Sequence, residues 1–203
     1  MKNKVFIPVI MIVALLGLFS GCYLDFPLRG NGKIVTQTRS AKDFDSVRLD
    51  GVADNVFIHH SGTYKVTVTT DSNIQDHVKI KVDGGTLRIG EKTAYHGFDP
   101  TKLIIDVYMP LLTSVNLKGV GNFKVADGQT SDLELILSGV GDIDVRNYEA
   151  EDVRVALSGV GDIKIWVTNS LTGKLSGVGD ILYKGDPVIN NVSKSGIGEV
   201  RKL

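Results

Sequence analysis

Leu137–Ile143 reads LSGVGDI, and the same seven letters return at Leu157–Ile163 and at Leu175–Ile181. A looser LKGVGNF precedes them at Leu117–Phe123 and KSGIGEV follows at Lys194–Val200, so the copies recur every 18 to 20 positions. Each copy is either a site or a corner. A glycine loop that cradles phosphate needs a strand before it and a helix after it, whose first amides hold the anion. Here DIDV, DIKIW and DILY follow the glycines with extended patterns, and no Lys-Ser/Thr pair completes a P-loop. The copies read as corners of a repeating scaffold.

Outward from the repeat, nearly everything after Lys33 alternates with period two. Val47/Leu49, Val56/Ile58, Leu103/Ile105/Val107/Met109, Leu133/Leu135/Leu137 and Val153/Val155/Leu157 are examples. Alternation rich in Val, Ile and Thr marks half-buried strands. DSNIQDHV (Asp71–Val78) is the stretch with room for a helical turn, with Asp71 as its N-cap. VKIKVDGGTLRIG (Val78–Gly90) has the form of a hairpin. The chain is therefore expected to be all-β, with a less regular β-rich half at 33–110 running on into a repeat half at 111–203. A unit of roughly 20 residues cannot bury its own apolar face, but stacked units can. The expected architecture is a parallel β-helix, or solenoid, with about five G-x-G-D-I coils whose neighbours lie about 4.8 Å apart.

Strict alternation assigns the side chains of each copy. Leu137 and Ile143 point inward, and both glycines between them are expected inward as well, where a sharp bend leaves no room for a β-carbon. The structural corner glycines are Gly119, Gly121, Gly139, Gly141, Gly159, Gly161, Gly177, Gly179, Gly196 and Gly198. One outward row reads Lys118, Ser138, Ser158, Ser176, Ser195, and another Asn122, Asp142, Asp162, Asp180, Glu199. Like charges so spaced repel by about 1 kcal/mol per adjacent pair in water. Asp142, Asp162 and Asp180 must therefore cap turn amides, pair with lysines or hold a cation, and capping is the simplest. Lys124, Asp144 and Lys164 alternate in sign, which rewards neighbouring coils in register. Val120, Val140, Val160, Val178 and Ile197 lie between the glycines. They form either an exposed apolar stripe suited to an interface or, if the bend turns them, part of the core.

The first residues have another character. Lys2 and Lys4 precede the apolar run Phe6–Phe19, and Ser20-Gly21 lead to Cys22, the layout of a secretory signal at 1–21. The run is short of the roughly 20 residues that span a bilayer. Cys22 is the chain's single cysteine, so no internal disulfide forms. FSGC resembles a bacterial lipobox, which implies cleavage before Cys22, acylation of Cys22 and a tether over 22–32, with the outer membrane as the expected location. With 23 basic and 23 acidic residues the net charge is zero, which gives no electrostatic pull toward nucleic acid.

The copies of Gly-Val-Gly-Asp-Ile at Gly139–Ile143, Gly159–Ile163 and Gly177–Ile181 carry a family resemblance. So do FDSVRLDGVADNVFIHHSGTYKVTV (Phe44–Val68), VDGGTLRIG (Val82–Gly90) and IIDVYMPLLTSVNLKGVGN (Ile104–Asn122). Over about Ala41–Leu203 the chain resembles the autotransporter-adhesin head GIN-domain family of bacterial envelope lipoproteins. The resemblance implies a right-handed parallel β-helix and an adhesive or structural role, with no catalytic set. Family members often carry Ser between the glycines where this chain has Val or Ile. That departure points to a protein contact rather than a hydroxyl face for glycans.

Three functions compete. The first is a non-enzymatic surface or periplasmic lipoprotein that presents its β faces for adhesion or interaction, with the membrane, a second copy of itself, and an unidentified protein or glycan as partners. The second is a carbohydrate-binding or carbohydrate-degrading protein, which would need acids clustered with a base on one face. Asp142, Asp162 and Asp180 supply acids alone, and they recur in every copy, whereas an active site breaks a repeat. The third is a cation-stabilised scaffold, but the nine-residue calcium repeat is absent. No cofactor or metal is expected. His59 and His60 alternate to opposite faces, and His77 and His96 lack partners at ligand spacing. Trp166 is either an exposed ligand platform or covered by the terminal segment. Tyr64, Tyr95, Tyr148 and Tyr183 share no period and read as packing residues.

Overall fold

A computed structural model describes residues 27–91 and 97–203. The expected signal segment 1–21, Cys22, Tyr95 and His96 lie outside the described residues. The fold is all-β. A fifteen-stranded sheet gathers both halves of the sequence and wraps into a nearly closed, barrel-like form. A two-stranded parallel pair, Leu28–Arg29 with Phe98–Asp99, lies apart from it. Among the described residues no helix is long and apolar enough to cross a membrane.

Two parallel ladders make up most of the sheet. In the first, Thr86–Glu91, Ser46–Leu49, Ser114–Leu117, Gly128–Leu137, the latter part of Ile143–Leu157, the latter part of Ile163–Leu175 and Ile189–Lys194 pair in that order. In the second, Leu103–Met109, Val52–His60, Val120–Val125, the beginnings of Ile143–Leu157 and Ile163–Leu175, Ile181–Lys184 and Val200–Lys202 pair in order. The glycine-rich bend lies between the ladders, and Ile143–Leu157 and Ile163–Leu175 run on from one ladder into the other.

Register aligns like with like. Leu49, Leu117, Leu137, Leu157 and Leu175 are ladder partners and have no exposed surface. Val56, Phe123, Ile143, Ile163 and Ile181 form a second buried row. Each of these side chains stacks on its counterpart one level away, which removes it from water on every side; such burial contributes about 1.5–3 kcal/mol per large aliphatic residue. The last level departs from the rule. Lys194 pairs with Leu175 and Asn190 with Leu171, so two polar residues occupy core positions where the stack ends. A terminal repeat with a polar face is how a stacked architecture stays soluble.

The N-terminal half closes the other end with antiparallel strands. Ile34–Arg39 pairs with Lys65–Asp71, which pairs in turn with Leu103–Met109. Val78–Asp83 and Thr86–Glu91 form the expected hairpin, with Gly84 and Gly85 both at positive φ (55° and 74°), as a primed two-residue turn requires. The expected helical turn is a 3₁₀ turn at Gln75–His77, and its N-cap is Ile74. Asp71 does something else. It ends a strand with no accessible surface, and its carboxylate accepts the amides of Gly32 (2.6 Å) and Thr101 (2.8 Å). Burial alone would raise the Asp71 carboxyl, but those amides hold it below its ordinary value. Gln75 is buried beside it. Its Nε2 donates to the carbonyls of Val35 and Val68, and its Oε1 accepts from Arg39.

Candidate functional site

The repeated bend is built from backbone outward. The amides of Ser138 and Gly139 both donate to the carbonyl of Leu117, and the Val140 amide donates to Gly119 (3.0 Å). The same set recurs one level on, from Ser158, Gly159 and Val160 to Leu137 and Gly139. Val120, Val140, Val160, Val178 and Ile197 are joined by single parallel bridges, so the bend itself is in register through five levels. The expectation that both glycines point into the core is corrected by this geometry. A β-carbon on Gly139 would collide with the carbonyl oxygen of Gly119, the backbone one level below, and one on Gly141 would collide with that of Gly121. Gly141 also holds φ at 125°, outside the range of L side chains. The glycines serve close backbone approach along the stack.

The acids bridge levels. Asp142 Oδ1 accepts the amide of Asp162, Asp162 that of Asp180, and Asp180 that of Glu199, each at 2.8 Å. Asn122 begins the series by accepting the amide of Asp142 at 3.0 Å. Each carboxylate therefore caps an amide, one repeat ahead rather than in its own turn. An amide so capped is satisfied without a ladder partner, and a charged acceptor makes a stronger bond than a neutral one.

The valines face solvent. Val120, Val140, Val160 and Val178 keep 46 to 49% of their surface exposed, and Ile197 keeps 73%. Val52, the ladder partner of Val120, adds a sixth member at 38%. Alternation across the bend did not include Val52, since its DGVAD lacks the second glycine. Ser138, Ser158, Ser176 and Ser195 are exposed beside the stripe, with Lys118 at the head of their row.

A second surface lies on the outer face of the second ladder. The ring of His59 stacks on that of Tyr108 with centroids 4.5 Å apart, and its Nε2 lies 3.1 Å from Asp106. Lys65 and Phe57 flank the pair, and Lys124 sits over the Phe57 ring. Beyond Phe57 an open groove of about 360 Å³ is lined by Asn55, Asn122, Lys124, Asp142, Asp144 and Arg146, among others. Lys124, Asp144 and Lys164 are ladder partners. Burial would raise the Asp144 carboxyl, but hydrogen bonds and charge from Arg146, aided by Lys164, hold it below its ordinary value. Asp106 lies 47 residues from His59 in sequence, so no motif announced this cluster; only the outward alternation of each strand hinted at it.

A family model described as "Putative auto-transporter adhesin, head GIN domain" matches residues 43–127 and 114–187. The chain belongs to this family. Among solved structures, the GIN-domain chain is similar to a "putative adhesin" of Bacteroides fragilis, at 23% identity and a TM-score of 0.62, over 87% of this chain and 100% of that one. It is also similar to a "Putative lipid binding protein" of Parabacteroides distasonis, at 20% identity and a TM-score of 0.50, over 88% and 100% of the two chains. These identities speak for the shared fold. No curated protein matches the chain.

The remaining residues singled out in the sequence fall into place within the GIN domain. Trp166 is half-buried, with the Lys184 ammonium 3.8 Å above its ring, so its face is already occupied. Tyr148 is buried; its hydroxyl accepts the Leu112 amide and donates to the Gln129 carbonyl. His59 and His60 do not converge on a common point, and His59 is engaged by Asp106. Among the described residues no three His, Cys, Asp or Glu side chains come together as a metal site.

Proposed function

We propose that this GIN-domain protein is a lipid-anchored module of the bacterial cell envelope that acts by binding, with successive coils of a parallel β-helix as its scaffold and Cys22 as its acylated anchor. The observation that carries this reading is the division of labour in the repeat. Its acids are spent on backbone amides, while its valines are left in water at one regular position after another. A surface that exposes β-branched side chains at each level pays a hydration penalty unless it meets a partner. Membership of an adhesin family supports the same assignment.

Two measurements test it. Mass spectrometry of the mature protein is expected to find an acylated N-terminus at Cys22, and Cys22→Ser is expected to move the chain from the membrane to the soluble fraction. Beads coated with the chain are expected to adhere to bacterial envelopes several-fold better than beads coated with a Val140→Ser, Val160→Ser, Val178→Ser variant. Equal adhesion by a variant that keeps its β spectrum sinks the role of the stripe. A second reading, carbohydrate binding, rests on the stacked His59–Tyr108 pair beside Asp106. It predicts that Tyr108→Ala, and not the valine changes, abolishes adhesion.

A further inference from the structure

The stripe has a pitch, and the pitch narrows its partner. Val52, Val120, Val140, Val160, Val178 and Ile197 follow one another as ladder or bridge partners, one level at a time. Levels lie about 4.8 Å apart, so the stripe is a straight row roughly 24 Å long. A surface that meshes with it along the whole length needs β-branched or similar groups at the same spacing. A second copy of this chain supplies that spacing without adjustment, as identical side chains do where sheets interdigitate.

We propose that the stripe is a seam between two copies of the chain lying side by side with their stacks parallel. This deepens the binding reading above by naming a second copy as the partner of the stripe, and it rests on that reading for the anchor. Charge decides the orientation. A two-fold axis that brings stripe against stripe runs either across the stack or along it. Across the stack, Asp142, Asp162, Asp180 and Glu199 of one copy face the same acids of the other. Unit charges in such positions repel by about 1 kcal/mol per pair even in water. Along the stack, each acid row faces the partner's row of Lys118, Ser138, Ser158, Ser176 and Ser195. One carboxylate oxygen of each aspartate is held by a backbone amide, and the other retains lone pairs for a serine hydroxyl across the seam. Two parallel copies also have their N-termini at the same end, as two chains anchored in one membrane must.

The area sets the strength. Six half-exposed side chains offer an apolar surface on the order of a few hundred Å². A stable complex buries roughly 800 Å² per partner. The seam is therefore weak between free chains and forms when anchoring raises the effective concentration toward about the millimolar range.

The test uses the full acylated chain in phosphatidylcholine vesicles, with Val120→Cys, Val140→Cys, Val160→Cys and Val178→Cys made singly and oxidised with copper phenanthroline. Every position is expected to link to its own counterpart, with a dimer yield at least ten-fold above the unsubstituted chain, and Ser138→Cys is expected to stay near that baseline. Linking at one position alone means crossed or antiparallel stacks and overturns the orientation. No linking at any position overturns the parallel seam, and so does equal linking of Ser138→Cys, which marks random collision. Four independent exposed positions keep the result decidable where one variant loses its β spectrum. The mass of Cys22 and vesicle sedimentation are read on the same samples. A chain without acyl groups sinks the anchoring reading, while oxidation of the same variants at millimolar concentration in free solution still decides the seam.

Discussion

The two halves of the sheet are held together by different devices. In the repeat half, one small set of contacts recurs at each level: a leucine on a leucine, a glycine against the carbonyl below, an acid oxygen on the next amide. In the N-terminal half Leu49 and Gly51 carry that set for one level, and the contacts beyond it are solitary. Asp71 ties Gly32 to Thr101, Gln75 ties Val35 to Val68, and antiparallel strands cover what the parallel ladders leave open. A recurring device distributes its cost and its gain over many levels; a solitary one concentrates both. Single changes should therefore act differently in the two halves.

The largest loss is expected where a repeated device has no slack. Gly161→Val places a β-carbon on the carbonyl of Gly141 and demands φ near 135° of a β-branched residue. We expect destabilisation above about 4 kcal/mol, the range reserved for strain and overpacking, read as the urea midpoint by circular dichroism. An unchanged midpoint would mean that the levels separate freely at the bend.

Next comes the solitary device. Asp71→Asn replaces an acceptor with a group that turns a donor toward one of two amide donors, and the urea midpoint should fall clearly. The Asp71 carboxyl lies below its ordinary value of 3.8 in the folded chain. A depressed carboxyl contributes stability above its unfolded pKa and loses it as pH falls toward the folded one. Stability should therefore drop as pH falls below about 4, and Asp71→Asn should flatten that drop. A variant with the same acid profile as the parent would show that Asp71 carries none of it.

In the repeat half, Asp162→Ala removes one of several equivalent amide acceptors. The expected cost is about 1 kcal/mol, the net value of one hydrogen bond. Asp162→Asn keeps the acceptor and should sit close to the parent, as Asn122 serves that role natively. A rise in melting temperature on adding calcium, lost in Asp162→Asn, would instead assign the row to a cation.

The smallest stability effect is expected at the end of the stack. Lys194 is exposed at a core position, and Lys194→Leu should change the midpoint by no more than about 0.5 kcal/mol. Its effect should appear in light scattering as self-association, because an inward charge on an edge strand blocks strand addition. A monomeric Lys194→Leu chain would show that other features guard the edge.

Much of this was legible in the letters. Period-two alternation placed Leu137, Ile143 and their counterparts in the core, and the copy-to-copy spacing predicted the in-register rows. Alternation sends both glycines of the bend inward, whereas a β-carbon on either would meet the backbone one level below, because alternation fails where Gly141 takes a positive φ. Whether Val140 faced water stayed open for the same reason. DSNIQDHV offers Asp71 as a helix cap, whereas the partners of its carboxylate, Gly32 and Thr101, lie thirty or more residues away. For the His59–Asp106–Tyr108 surface, alternation gives only the outward direction of each residue, and the pairing of the two strands brings them together.

The sequence by itself determined the all-β class, the levels of the repeat and their register. A period repeated in the chain becomes a period in space whenever identical side chains bury best against each other. The tertiary structure alone decided which way the bend points its valines, which amides the acids meet, and how the N-terminal strands close one end while Lys194 closes the other. Those outcomes depend on backbone angles at glycine and on contacts between distant residues, which local pattern does not encode.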